Sequence, residues 1–128
     1  MSNSNSIYFP LSRNTFYKSV FSPPTSIRKT ETEYKIDIEV PGLNLETVSV
    51  DIQDNNLCVI GVKEHLSEPK ATYFRNEVLS GPFSRTFSLP NDVDKSKITA
   101  VYKKGFLHIT INILEEKLPK PIKVVNED

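Results

Sequence analysis

This sequence predicts an all-β protein, with two antiparallel sheets packed face to face. Three observations point there. Apolar and polar residues alternate with period two in several segments, Pro, Gly, Asn and Asp punctuate the intervals, and no segment carries a convincing helical period. The elements follow in order from residue 31. In YKIDIEV, Tyr34, Ile36, Ile38 and Val40 share one face, and Lys35, Asp37 and Glu39 share the other, as in a half-buried strand. Pro41 and Gly42 end it, and LNLET reads as a short connection.

Val48, Val50 and Ile52 then alternate with Ser49, Asp51 and Gln53, and Asp54-Asn55-Asn56 supplies a turn into LCVIGV, which makes a hairpin. In FSRTFSLP, Phe83, Phe87 and Leu89 share a face before Pro90. KITAVY leads through Lys103-Lys104-Gly105 into FLHITINI, where Leu107, Ile109, Ile111 and Ile113 align. Gly105 can adopt a left-handed conformation that would strain Lys104, so a type I turn followed by a glycine bulge is expected there. At least six strands result.

Nineteen residues separate Gly61 from Gly81, far more than an ordinary hairpin loop. Within them, Thr72 to Leu79 is strand-like. A segment charged at its root and strand-like at its tip can leave the parent sandwich and pair with the exposed edge of a second subunit.

The termini differ from this pattern. Residues 1–25 are rich in Ser and Asn and hold three prolines, yet carry Tyr8, Phe9, Leu11, Phe16, Tyr17, Val20 and Phe21, too many adhesive side chains for an inert linker. They are expected to form a flexible arm, ahead of a sandwich domain at 26–114 and an extension at 115–128. In the extension, Pro119 and Pro121 cannot donate ladder hydrogen bonds and hold the chain extended. Ile122 and Val124 then point the same way, with charged and polar neighbours that cannot bury them.

Composition narrows the partners. The 16 basic and 16 acidic side chains cancel, which removes the electrostatic case for nucleic acid or an anionic membrane as the main partner. The first 30 residues hold Arg13, Lys18, Arg28 and Lys29 and no acid, so the rest of the chain is net acidic. The single cysteine, Cys58, excludes an internal disulfide and suits a reducing compartment. No apolar run approaches the roughly 18 residues of a spanning helix, and MSNSNSIYFPLSRN lacks the apolar stretch of a secretory signal, so a cytoplasmic protein is expected.

Catalysis finds little support. His65 lies in the charged loop and His108 opposite the apolar face of its strand; both are expected to be solvated, with no neighbouring nucleophile or acid. Two histidines and one cysteine show no metal-ligand spacing, Cys58 reads as a small hydrophobe, and four scattered glycines make no phosphate loop. No cofactor or metal is expected, and no enzyme. Arg85 is more informative, because alternation places it in line with Phe83, Phe87 and Leu89. A guanidinium there must reach a carboxylate or backbone oxygens, and a carboxylate, for instance of a neighbouring subunit, is the expected partner.

From about residue 26 to residue 124, the chain resembles the small heat-shock proteins of the alpha-crystallin family. The resemblance rests on EVPGL at 39–43, FSRTFSLPNDVD at 83–94, the A-x-x-x-x-G-x-L pattern of Ala100, Gly105 and Leu107, and the terminal I-x-V of Ile122 and Val124. It implies an immunoglobulin-like sandwich whose dimers build large oligomers, acting as an ATP-independent holdase toward unfolding client proteins. Tyr73, Phe74, Arg75 and Glu77 fall in a stretch similar to the exchanged strand of bacterial and plant members, and Arg85 at the family's F-x-R arginine, which implies a dimer interface. The resemblance also implies that I-x-V docks in a groove at another subunit's sandwich edge, here Val48, Val50, Ile52, Ile98 and Ala100, and that the aromatic arm binds clients. Lys104 stands where many members have asparagine, a departure expected to matter little. Two rival readings share the fold: a CS-type co-chaperone adaptor, normally monomeric, and a self-assembling β-sandwich structural protein.

Overall fold

The computed structural model describes residues 21–65 and 68–127. Its strands are β1 (Thr25–Lys29), β2 (Glu33–Glu39), β3 (Leu43–Gln53), β4 (Asn56–Lys63), β5 (Gly81–Ser88), β6 (Val93–Lys103) and β7 (Phe106–Ile113), followed by a 3-10 turn at Glu115–Lys117. They form a four-stranded sheet in the order β1-β2-β7-β6 and a three-stranded sheet in the order β3-β4-β5, every pairing antiparallel.

The core forms where the alternating faces of the two sheets meet. Ile36, Ile38 and Val40 from β2 and its end, with Leu107, Ile109 and Ile111 from β7, face Leu57 and Val59 of β4 and Phe83 and Phe87 of β5, all buried. Each such side chain contributes roughly 1.5–3 kcal/mol by leaving water, before ordering costs. Gly61 is part of this packing: a Cβ there would lie 3.1 Å from both Leu43 Cδ1 and the Phe83 ring, so the missing side chain is space that the ring uses. Val48, Val50 and Ile52 pack against the core only in part, because β3 is an edge strand.

Three local features depart from the expectations. First, Thr25–Lys29 is a strand, paired with β2 from Thr25↔Ile38 to Lys29↔Tyr34; its exposed edge position leaves no buried periodicity to read. Second, LNLET is the irregular start of β3 and not a connection, with a register shift between Asn44 and Ser49. There side chains replace ladder bonds: Glu46 N donates to Asn44 Oδ1 at 3.0 Å, and Val62 N donates to Thr47 Oγ1 at 2.9 Å.

Third, the β6–β7 connection is a two-residue turn with Lys104 at φ +53° and Gly105 at φ +81°, between the paired Lys103 and Phe106. Positive φ at both positions marks a type I′ turn, whose twist matches that of the flanking strands, where a type I turn would splay them. Lys104 therefore occupies a left-handed region that asparagine tolerates better than lysine does. Thr72–Leu79 forms no ladder with the described residues of its own chain, and its side chains are exposed.

Candidate functional site

The unequal widths of the two sheets leave an opening along one side of the sandwich. There the edge strands β3 and β6 diverge around a cleft of about 440 Å³ lined by Val50, Ile52, Leu57, Ile98 and Ala100, with Asp51, Lys95 and Thr99 as its polar members. Four of the five residues expected in a groove line this cleft; Val48 does not, although like Val50, Ile52 and Ile98 it packs against the core. Leu57 was not anticipated, since it belongs to the central strand β4 and closes the floor only once the sheets are stacked. Both strands beside the cleft are outermost in their sheets, so among the described residues their outer backbone groups face no neighbouring strand.

The tail begins fixed and ends free of the sandwich. Its root is tied by Ile113 N donating to Thr32 O at 2.9 Å and Leu114 N donating to Asp92 O at 2.7 Å. Beyond the 3-10 turn the chain runs without secondary structure, and Ile122 and Val124 are 91% and 90% exposed. Val125, also aliphatic, is exposed beside them.

Apolar exposure recurs around the opposite edge. Ile27 on the edge strand β1 is more than half exposed, and in the long loop Tyr73, Val78 and Leu79 are exposed and Phe74 is wholly so. Arg75 and Glu77 pair with each other at 3.2 Å on the surface, a contact worth little in water.

Arg85 is half-buried, and among the described residues its hydrogen bonds go to the segment before β1 and not to the expected carboxylate. Nη1 donates to Ser22 Oγ at 2.8 Å and to Pro23 O at 3.2 Å, and the guanidinium stands 5.3 Å from the centre of the Phe87 ring. A carbonyl and a hydroxyl accept from the guanidinium here because the chain entering β1 passes beside β5. Phe21 belongs to the same contact, its ring 5.8 Å from that of Phe83. The other expected client-binding residues, Tyr8, Phe9, Leu11, Phe16, Tyr17 and Val20, lie outside the described residues.

The histidines also have partners that the sequence did not announce. His65 Nδ1 lies 3.1 Å from Ser80 Oγ at the base of the loop. His108 lies opposite Asp37 in the β2–β7 register, with Nδ1 and Oδ1 2.6 Å apart, and Arg28 reaches the second carboxylate oxygen. Burial pushes the Asp37 carboxyl upward, but the hydrogen bonds and charges of His108 and Arg28 outweigh it and hold the group below its ordinary value. Asp92 behaves similarly: desolvation is again the largest influence, overcome by hydrogen bonds from Tyr34 and Lys29.

Among the described residues no group of three or more His, Cys, Asp or Glu side chains could hold a metal, and no helix is long and apolar enough to cross a membrane. What the geometry offers is surface chemistry: an aliphatic cleft between two strand edges, a projecting tail with paired aliphatic residues, and a loop that presents aromatic side chains.

Comparison with known proteins agrees with this architecture. The profile described as the Hsp20/alpha crystallin family matches residues 26–125. Small heat shock protein C4 of Rickettsia felis is 36% identical over 110 residues, covering 85% of this chain and 68% of that protein. A 17.9 kDa class II heat shock protein of Helianthus annuus is 30% identical over 112 residues, covering 84% of this chain and 70% of that protein. Among solved structures, a small heat-shock protein from Xylella fastidiosa, described as having a distinct high order structure, superposes with a TM-score of 0.69 at 26% identity, covering 83% of this chain and 98% of that one.

Proposed function

The chain belongs to the Hsp20/alpha-crystallin family, and from that premise we propose that it is an ATP-independent holdase, which binds unfolding proteins and keeps them from aggregating, as a large oligomer of strand-exchanged dimers. Family membership by itself makes it a small heat-shock protein, a non-enzymatic chaperone of the stress response. The oligomer, its clients and its cytoplasmic location are our reading.

One observation carries it: the same chain holds a cleft at the β3–β6 edges with aliphatic and polar members, and an aliphatic pair, Ile122 and Val124, that its own sheets leave exposed. A tail that docks in the cleft of another subunit would bury two side chains for roughly 1.5–3 kcal/mol each before ordering costs, a feeble contact alone. In a closed assembly each tail acts at high effective concentration once its neighbours are bound, so the links are strong together and still exchange.

The dimer would form when Tyr73–Leu79 of one subunit adds to the open edge of β1 on the other, which would satisfy the backbone of both segments. The exposure of Phe74 and of Ile27 on that edge supports this pairing. The arm ahead of Phe21 would bind clients through Tyr8, Phe9, Leu11, Phe16, Tyr17 and Val20, with the sandwich, which β1 carries back to Thr25, and the extension at 115–128 serving assembly. Apolar surface concealed at rest and presented on heating needs neither nucleotide nor metal.

The test is light scattering of a heated client without ATP, with the chaperone's mass measured by size-exclusion light scattering. Suppression by a large oligomer supports the proposal. A monomer would favour the co-chaperone adaptor, and an assembly without protection the structural protein. The arm assignment is tested by deleting residues 2–20, which leaves the Phe21–Pro24 contacts intact; undiminished protection by intact oligomers would refute it.

A further inference from the structure

The sandwich has a second open side, opposite the β3–β6 cleft, where β5 and β1 are outermost in their sheets. The chain itself covers it. Phe21 lays its ring against Phe83, Lys63 Nζ stands 5.9 Å from the centre of the Phe21 ring, and Pro23 is fully buried. Arg85 then grips the same segment through Ser22 Oγ and Pro23 O. One residue later Pro24 O accepts from Glu39 N at 2.9 Å, which makes Pro24 the start of the β1 pairing and the end of the covering segment.

We propose that this side is a second peptide-binding site, shut in the resting chain by its own Phe21–Pro23. Its ligand is an extended segment of an unfolding protein carrying an aromatic residue followed at the second place by proline. This rests on the holdase reading and names where a client segment binds. The bound occupant defines the chemistry. Phe83 supplies a fully buried ring for an aromatic side chain to cover, and Gly61 leaves room for that ring to lie close to β4.

Arg85 supplies donors to a backbone carbonyl, which every peptide carries, and to a hydroxyl, which water or another side chain can replace. The buried proline needs no partner for an N–H, which suits the dry end of the site. The ring sets a preference and the backbone contacts leave the rest of the sequence open, as a holdase requires. Phe21 itself is only half-buried, and both of Arg85's hydrogen bonds to the segment come from one guanidinium nitrogen, so a competing segment has to displace irregular chain and not a strand.

The experiment measures fluorescence anisotropy of a labelled peptide of residues 17–25, YKSVFSPPT, with the full chain and with its Phe21→Ala variant. The peptide should bind the variant about tenfold more tightly, the factor for a site nine-tenths occupied by its own chain. A peptide carrying Phe21→Ser should not bind. Equal binding to both proteins, binding to neither, or indifference to the peptide's phenylalanine overturns the proposal. If Phe21→Ala does not fold, Ser22→Ala, which keeps the ring, carries the comparison: about threefold tighter binding supports the site and no change overturns it. Client light scattering separates the two readings. Protection by the unaltered chain with no peptide bound to either variant sinks this site alone, whereas no protection sinks the holdase whatever the peptide does.

Discussion

Asp37 and His108 stand directly opposite each other in the β2–β7 ladder, and the same carboxylate reaches Arg28 on β1, so one acid ties three strands across the outer face of the larger sheet. Phe106 stacks on the imidazole at 5.8 Å, which closes the other side of the pair.

The pH dependence of stability follows from this carboxylate. Its folded-state pKa is depressed, so its contribution is complete above the unfolded value of about 3.9 and is lost as pH falls through the lower folded value. Asp92, also depressed, adds loss in the same direction. The urea midpoint should therefore drop as pH falls below about 4. Asp37→Asn should lower the midpoint at pH 7 and flatten the acid limb; an unchanged limb would contradict this assignment.

Tail and cleft should fail independently yet alike. Ile122→Ala with Val124→Ala removes side chains that the sandwich leaves exposed, so thermal stability should stay within about 0.5 kcal/mol. The mass from light scattering should nevertheless fall toward that of a dimer. Ala100→Tyr, which fills the cleft from an exposed position, should give the same loss of mass with the tail intact. Large oligomers from both variants would refute tail docking at this cleft.

Gly61→Ala should destabilise the sandwich by about 1–3 kcal/mol, because the added methyl meets Leu43 and a fully buried Phe83 ring that has little room to yield. Chemical denaturation measures this directly. A neutral result would show that the Leu43 side chain moves aside.

Lys104→Asn should stabilise the chain by up to about 1 kcal/mol, since asparagine adopts the left-handed conformation of this type I′ turn more readily than lysine. Lys104 is exposed, so no packing change obscures the comparison of denaturation midpoints.

The sequence by itself determined the fold class, the inward faces of β2, β5 and β7, and the aliphatic pair of the tail. Each is written in the alternation of a single strand, because the pleat sends successive side chains to opposite faces whatever the strand's neighbours are. It also located four of the cleft residues, through a resemblance and not through periodicity. Only the tertiary structure decided who meets whom. Asp37 and His108 are 71 residues apart and join through strand register; Arg85 finds Ser22 and Pro23 because the chain entering β1 passes beside β5; Leu57 reaches the cleft through sheet stacking. Edge strand β1 and the side-chain bonds that carry β3 through LNLET left no buried alternation to read. Pairing depends on where distant strands stop and how two sheets close on each other, and that information is spread over the whole chain.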